Sequence, residues 1–264
     1  MRVFVEGVGL LGPGLSGWPA ARSVLAGEEA FRFAPTIIVA SDLLPPAERR
    51  RTPASVKLAL AVGQEAFRSS GRDAAATATV FTSSSGEAET LHQMCETLAS
   101  AEREVSPTRF HNSVHNAAAG YWSIATQSRE ASTSLCAFDA SFGAGLIEAV
   151  TQIVFRRSPV ALMAYDPPYP EPIHSARPLL ASFGVALVLA HERGVKAFAA
   201  FELTFPTGGE KSTRMSDSAL EELRLGTPAA RGLPLLEAIA RNKEADVVLD
   251  LPAGKPLRVK VSPC

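Results

Sequence analysis

The strongest constraint on how this chain folds is its alternation of short, continuously apolar runs with longer stretches of helical periodicity. The runs VALMAY (Val160–Tyr165) and FGVALVLA (Phe183–Ala190) contain no charged residue. A strand with one face in water alternates polar and apolar side chains, whereas a strand apolar throughout is covered on both faces. Such strands separated by helices predict an α/β fold, a mainly parallel sheet with helices on either side.

The pattern places strands at Val3–Gly7, Pro35–Ala40, Thr77–Thr82, 131–137, Val160–Tyr165, Phe183–Ala190 and 195–205. Helices fall at Trp18–Ala26, 53–70, Gly86–Ser100, Asn116–Thr126 and about 139–155, with one or two more in 216–242. Pro53 opens the second of these and Gly71 stops it. The Pro-dense YDPPYPEPIHSARP (Tyr165–Pro178) reads as an exposed, non-helical loop, and 245–251 with 256–261 as a terminal hairpin. With 264 residues the chain has room for one large domain or two small ones.

A formal net charge of −1 gives no electrostatic case for nucleic acid or for an anionic membrane surface. Glu6 interrupts the apolar N-terminus, so no signal peptide is read. No apolar run is expected to reach the roughly 18 residues of a membrane span. Cys95, Cys136 and Cys264 are odd in number and far apart, which suggests neither a disulfide framework nor a zinc site. The expectation is a cytoplasmic α/β protein that needs no cofactor.

Four motifs carry possible chemistry. Gly7-Val8-Gly9-Leu10-Leu11-Gly12 has the spacing of a dinucleotide fingerprint, but Pro13-Gly14 follows at once where a helix must start. A tight structural turn accounts for these glycines better. Thr82–Gly86 (TSSSG) lacks the glycine two before the serine that a hydrolase elbow needs, and its hydroxyls suit turn and helix-start amides, with Ser85 near an N-cap. His111 and His115 share a helix face if one helix holds both, yet no acid or cysteine completes a metal set. In the stretch CAFDASFGAGL (Cys136–Leu146) a strand runs into a helix, the turn where many enzymes raise a nucleophile. Asp139 occupies that turn, where the helix dipole favours a carboxylate cap. Cys136, inside the strand, reads as a small buried hydrophobe.

Taken in order, VFVEGVGLLGPGLSGWPAARSVLAG, RRTPASVKLALAVGQEAF, VFTSSSGEAETL, SVHNAAAGYWSIATQSREASTSLCAFDASFGAGLIEAV and RPLLASFGVALVLAHERG resemble successive segments of the β-ketoacyl synthases of the thiolase superfamily. The resemblance spans about residues 1–195. It implies a thiolase-like N-terminal half, residues 1–194, with a mainly parallel five-stranded sheet covered by helices. A shortened segment, 195–264, would then complete the same domain.

Carried over position by position, the nucleophile falls on Asp139, where an active condensing enzyme has cysteine. A carboxylate cannot hold an acyl group as a thioester. The family's two catalytic histidines lie in its second half, and this chain has no histidine after His191. Nothing would then stabilise the enolate or oxyanion. The resemblance therefore implies a non-catalytic relative, a chain-length factor of the kind that accompanies aryl polyene and xanthomonadin-type pigment genes. It implies pairing with an active ketosynthase through the strand Ser132, Thr133, Ser134, Leu135, Cys136 and Ala137, and contact with an acyl carrier protein through that partner. Phe110, His115, Asn116, Tyr121, Trp122, Phe138 and Phe142 would shape the acyl tunnel beside the seam, while Asp139 caps its helix. Two other readings stand beside this one. The first is a lone enzyme using Asp139 as a base in malonyl decarboxylation. The second is a homodimeric carrier-protein scaffold with Arg49–Arg51 or Arg156-Arg157 as its basic patch.

Overall fold

The computed structural model describes residues 1–264. Its strands are β1 (Arg2–Gly12), β2 (Leu15–Ser16), β3 (Ala78–Ser83), β4 (Ser132–Cys136), β5 (Val160–Asp166), β6 (Phe183–Ala190), β7 (Ala199–Thr204), β8 (Ala245–Asp250) and β9 (Pro256–Pro263). All belong to one sheet in the order β4-β3-β5-β6-β1-β7-β9-β8, with β2 hairpinned onto β1. β3 pairs in parallel with β4 and β5. β6 is antiparallel to both β5 and β1. Four of the five long strands before residue 195 thus point the same way. The sheet is wider than those five, because β7, β9 and β8 extend it antiparallel beyond β1.

Helices cover both faces. On one, α1 (Trp18–Ala26), α7 (Ser141–Arg156), α9 (Ser218–Gly226) and α10 (Leu233–Arg241) close over a core that includes Leu146, Ile153, Leu187 and Leu236. On the other, α3 (Ala54–Ser70) and α6 (Ala117–Thr126) enclose Phe67, Phe81, Trp122 and Met163. Four further helices lie outside these layers: α2 (Pro46–Arg51), α4 (Ala88–Ala99), α5 (Pro107–Asn112) and α8 (Ile173–Ala176). With the turn before it, α7 forms Phe138–Arg156, a stretch long and apolar enough by length and composition to cross a membrane. The expectation of no such run overlooked it because Glu148 and Arg156 break up its composition. Half of this stretch is buried inside the fold, with Phe142, Leu146 and Val150 fully covered.

Several expectations are corrected. The glycines of 7–12 do not form a tight turn: β1 runs on through Gly12, and the chain reverses at Pro13-Gly14. Gly7 and Gly9 are there because α3 lies directly on the strand. A Cβ at Gly9 would sit 1.9 Å from the Val62 carbonyl oxygen, and one at Gly7 2.2 Å from that of Ala66. Only glycine permits so close a strand–helix approach. Pro35–Ala40 has strand composition but forms no strand. Both edges of β1 are already taken by β6 and β7, so the segment crosses the sheet end as a strap. Ala34 C=O accepts from Gly14 N–H, and Thr36 Oγ1 donates to Ser182 C=O. The Pro-dense loop does hold one helical turn, α8, because no proline falls within Ile173–Ala176 and Glu171 accepts from Ser175 N–H and Oγ. Glu87, not Ser85, caps α4 by accepting from Thr90 N–H.

Candidate functional site

The C-terminal ends of β3, β4 and β5 meet where residues 136–141 turn into α7. Phe138–Ala140 form a single 3₁₀ turn, and Phe138 sits at a left-handed φ of 55°. That conformation strains a residue with a Cβ and needs surrounding support. Ser141 supplies part of it: its Oγ accepts from Ala137 N–H at 3.1 Å and lies 2.7 Å from the carbonyl oxygens of Ser83 and Phe138.

Asp139 does not cap α7, which has no side-chain cap. Its carboxylate, 56% exposed, accepts instead from Arg177 Nη2 at 2.6 Å. The Arg177 guanidinium stacks 3.1 Å from the Phe138 ring centroid and stands 5.8 Å from that of Tyr169. Tyr169 Oη in turn bonds to Ser84 Oγ and Ser85 Oγ. The Pro-rich loop is therefore fastened to the elbow by a cation stacked on an aromatic ring, an ion pair and a hydroxyl network. Beside the elbow an open cavity of about 410 Å³ lies between Phe138-Asp139, Arg231 and the turn Asp250–Ala253. Burial lowers the Arg231 pKa.

Beneath the turn lies Asp166, fully buried at the end of β5. One carboxylate oxygen accepts from Ser84 N–H at 2.7 Å and the other from Ala229 N–H at 2.8 Å. Burial pushes its pKa up to about 7, against the opposing effect of those two hydrogen bonds. Cys136 ends the edge strand and is exposed rather than buried as expected. Its Sγ leans on Ser83 Oγ at 3.8 Å, and desolvation on that inner side raises the thiol pKa. A raised pKa leaves little thiolate, the nucleophilic form.

The other sequence-derived positions fall into two groups. Phe110 (64% exposed), His115, Asn116 and Phe138 lie on the surface. His115 Nε2 bonds to the Ser134 carbonyl oxygen of β4 at 3.0 Å. Tyr121, Trp122 and Phe142 are instead core residues, each no more than 1% exposed. Trp122 stacks on Phe67 against Gly63, where a Cβ would sit 2.7 Å from its ring. Tyr121 Oη donates to Asn112, and Phe142 fills the opposite face against Gly232. α6 turns Ala117, Ala118, Ala119 and both aromatics inward. His111 and His115 do not share a helix: His111 is in α5, stacked edge-on to Tyr121, and His115 is in the following loop.

β4 is an outermost strand with one edge free of strand pairing. Ala131 C=O accepts from Thr79 N–H on the β3 side. The strand alternation then turns the main-chain groups of Ser132, Ser134 and Cys136 outward. The sequence reading missed a neighbouring feature, the face of α4 bearing Leu91, Met94, Cys95 and Leu98. These are spaced i, i+3, i+4, i+7 like a core stripe, yet none is buried. The spacing was legible in the sequence, but its exposure was not.

The sequence profile of the beta-ketoacyl synthase N-terminal domain matches residues 18–249. No curated protein matches the chain in sequence. Among solved structures, a chain of the ketosynthase ApeO in complex with its chain length factor ApeC from Xenorhabdus doucetiae superposes with a TM-score of 0.73. The two share 22% identity over 99% of each chain. A beta-ketoacyl synthase from Burkholderia phymatum STM815 gives 0.71 at 12% identity, covering 100% of this chain and 99% of that one. The ishigamide ketosynthase/chain length factor gives 0.70 at 13%, with the same coverage. At such identities the likeness is one of fold, a thiolase-like ketosynthase architecture. The fold agrees with that match over residues 18–249, and this chain belongs to the beta-ketoacyl synthase N-terminal domain family.

Proposed function

We propose that this protein is a catalytically silent, chain-length-factor-like subunit that pairs with an active β-ketoacyl synthase in polyene or related polyketide synthesis. The observation that carries this reading is the ion pair at the elbow: Asp139, which the family resemblance puts where an active enzyme has its thiolate, is tied to Arg177 at 2.6 Å. Such a group can neither accept an acyl chain as a thioester nor leave its ion pair without cost. The matched structures that are ketosynthase/chain length factor assemblies support the same reading.

In this proposal the free edge of β4, Ser132–Cys136 continuing into Ala137, pairs with the partner. The exposed α4 stripe, Phe110 and Phe138 lie against the partner's acyl tunnel, residues 195–264 complete the single domain, and the acyl carrier protein is met on the partner. A lone decarboxylase using Asp139 as base would want a secluded carboxylate with a proton-carrying neighbour, whereas Asp139 is open to solvent and held by an arginine.

The test is reconstitution with the ketosynthase that co-purifies from the native host. Asp139→Asn is expected to leave product formation by the assembled pair within about twofold. Complete loss with the pair still assembled would overturn the silent-subunit reading, and turnover of malonyl-carrier protein by the lone chain would favour the decarboxylase.

A further inference from the structure

The sheet ends in two edge strands, and the chain treats them differently. β4 is left open. At the far edge, β8, Val248 directs both its N–H and its C=O away from β9, and one residue takes both. Thr213 Oγ1 accepts from Val248 N–H at 2.9 Å, and Thr213 N–H donates to Val248 C=O at 2.9 Å. No other main-chain hydrogen bond reaches β8 from outside its ladder.

Thr213 lies in the irregular segment between β7 and α9, which is fixed on both sides of it. Upstream, Glu210 pairs with Arg258 of β9. Downstream, Met215 is buried in the core, and its N–H donates at 2.9 Å to Glu221, a carboxylate gripped by Arg224 Nε and Nη2 at 2.8 Å each. The segment is thus held where it satisfies the central outward-facing groups of β8 as a further strand would.

We propose that residues 205–217 guard the β8 edge, preventing it from pairing with the β8 of a second copy of this chain. A subunit with two open sheet edges joins copies without limit, while a subunit with one open edge stops at a closed pair. The flanking acids act in the same sense. Antiparallel pairing centred on Val248 would set each Asp246 opposite the other copy's Asp250, a like-charge contact. That assembly stops at β4 rests on the proposed pairing there; the guarding of β8 stands on Thr213 alone.

The experiment places every variant in a Ser134→Pro background, which removes the central outward N–H of β4 and weakens pairing at that edge. Sedimentation equilibrium is then run over a concentration series. Thr213→Pro, which loses both bonds to Val248, is expected to tighten self-association about tenfold, and adding Asp246→Asn to tighten it several-fold more. Thr213→Val keeps the N–H bond and the fold, and is expected to give about a threefold change. The guard is overturned if these variants keep a native circular dichroism spectrum and sediment like the background protein. Failure of Ser134→Pro to weaken association would count against β4 pairing instead, so the two ideas fail separately.

Discussion

Replacing Asp166 by asparagine should change how stability depends on pH, and the structure sets the size of the effect. Asp166 is 2% exposed, and its pKa rises from an ordinary 3.8 to about 7 because burial disfavours the charged form. The folded state therefore holds this proton more tightly than the unfolded chain does. Its contribution is fully present below pH 3.8 and is lost as pH rises through about 7. A difference of about 3 units at 1.36 kcal/mol each spans ~4 kcal/mol, of which ~2–3 kcal/mol falls between pH 5 and 8. The asparagine side chain cannot ionise and lacks this dependence. It also puts an NH2 group, which cannot accept, where the carboxyl has its second oxygen, so either Ser84 N–H or Ala229 N–H loses its acceptor, at about 1–3 kcal/mol. Glu65 and Glu87, also raised chiefly by burial, are present in both proteins and cancel in the comparison. Urea unfolding followed by tryptophan fluorescence at pH 5, 6, 7 and 8 measures both proteins. The asparagine variant should be the less stable at pH 5, and the gap should close by ~2–3 kcal/mol at pH 8. A gap that stays constant across this range would refute the assignment of a buried, proton-holding carboxyl to Asp166.

Two further predictions concern the sheet. Gly9→Ala places a methyl 1.9 Å from the Val62 carbonyl oxygen of α3, a backbone atom that cannot turn aside. It should cost at least ~3 kcal/mol in denaturant unfolding or prevent folding, and a cost below ~1 kcal/mol would mean that the helix moves away easily. Ser134→Pro should abolish co-purification of the proposed ketosynthase partner while leaving the thermal midpoint within a few degrees, since the proline removes an outward donor and no bond to β3. Retained pairing would show that the β4 edge is not the interface.

The doubly covered strands were legible because their coverage is written in composition: β3, β5 and β6 are buried at every position, so no polar alternation survives. The elbow was legible as a strand running into an apolar helix. Pro35–Ala40 was misread because strand propensity is local, while a place in the sheet depends on which edges other strands have already filled. The glycines of β1 were read as a turn because the reason for them lies 53 residues away, in α3, where Val62 faces Gly9.

The site divides along the same line. The sequence by itself determined that a carboxylate, Asp139, stands at the turn between strand and helix, that no histidine follows His191, and that an apolar helix begins there. Only the tertiary structure decided what Asp139 does. A helix cap is a contact within one turn and can be guessed from sequence. The partner it actually has, Arg177, is 38 residues distant and arrives by way of the loop between β5 and β6. Tertiary structure likewise sent Trp122 and Phe142 into the cores, exposed the α4 stripe, left β4 open and covered β8. Periodicity states which residues share a face. Whether that face meets a core, a partner or water follows from how the whole chain closes, and that is a property of contacts distant in sequence.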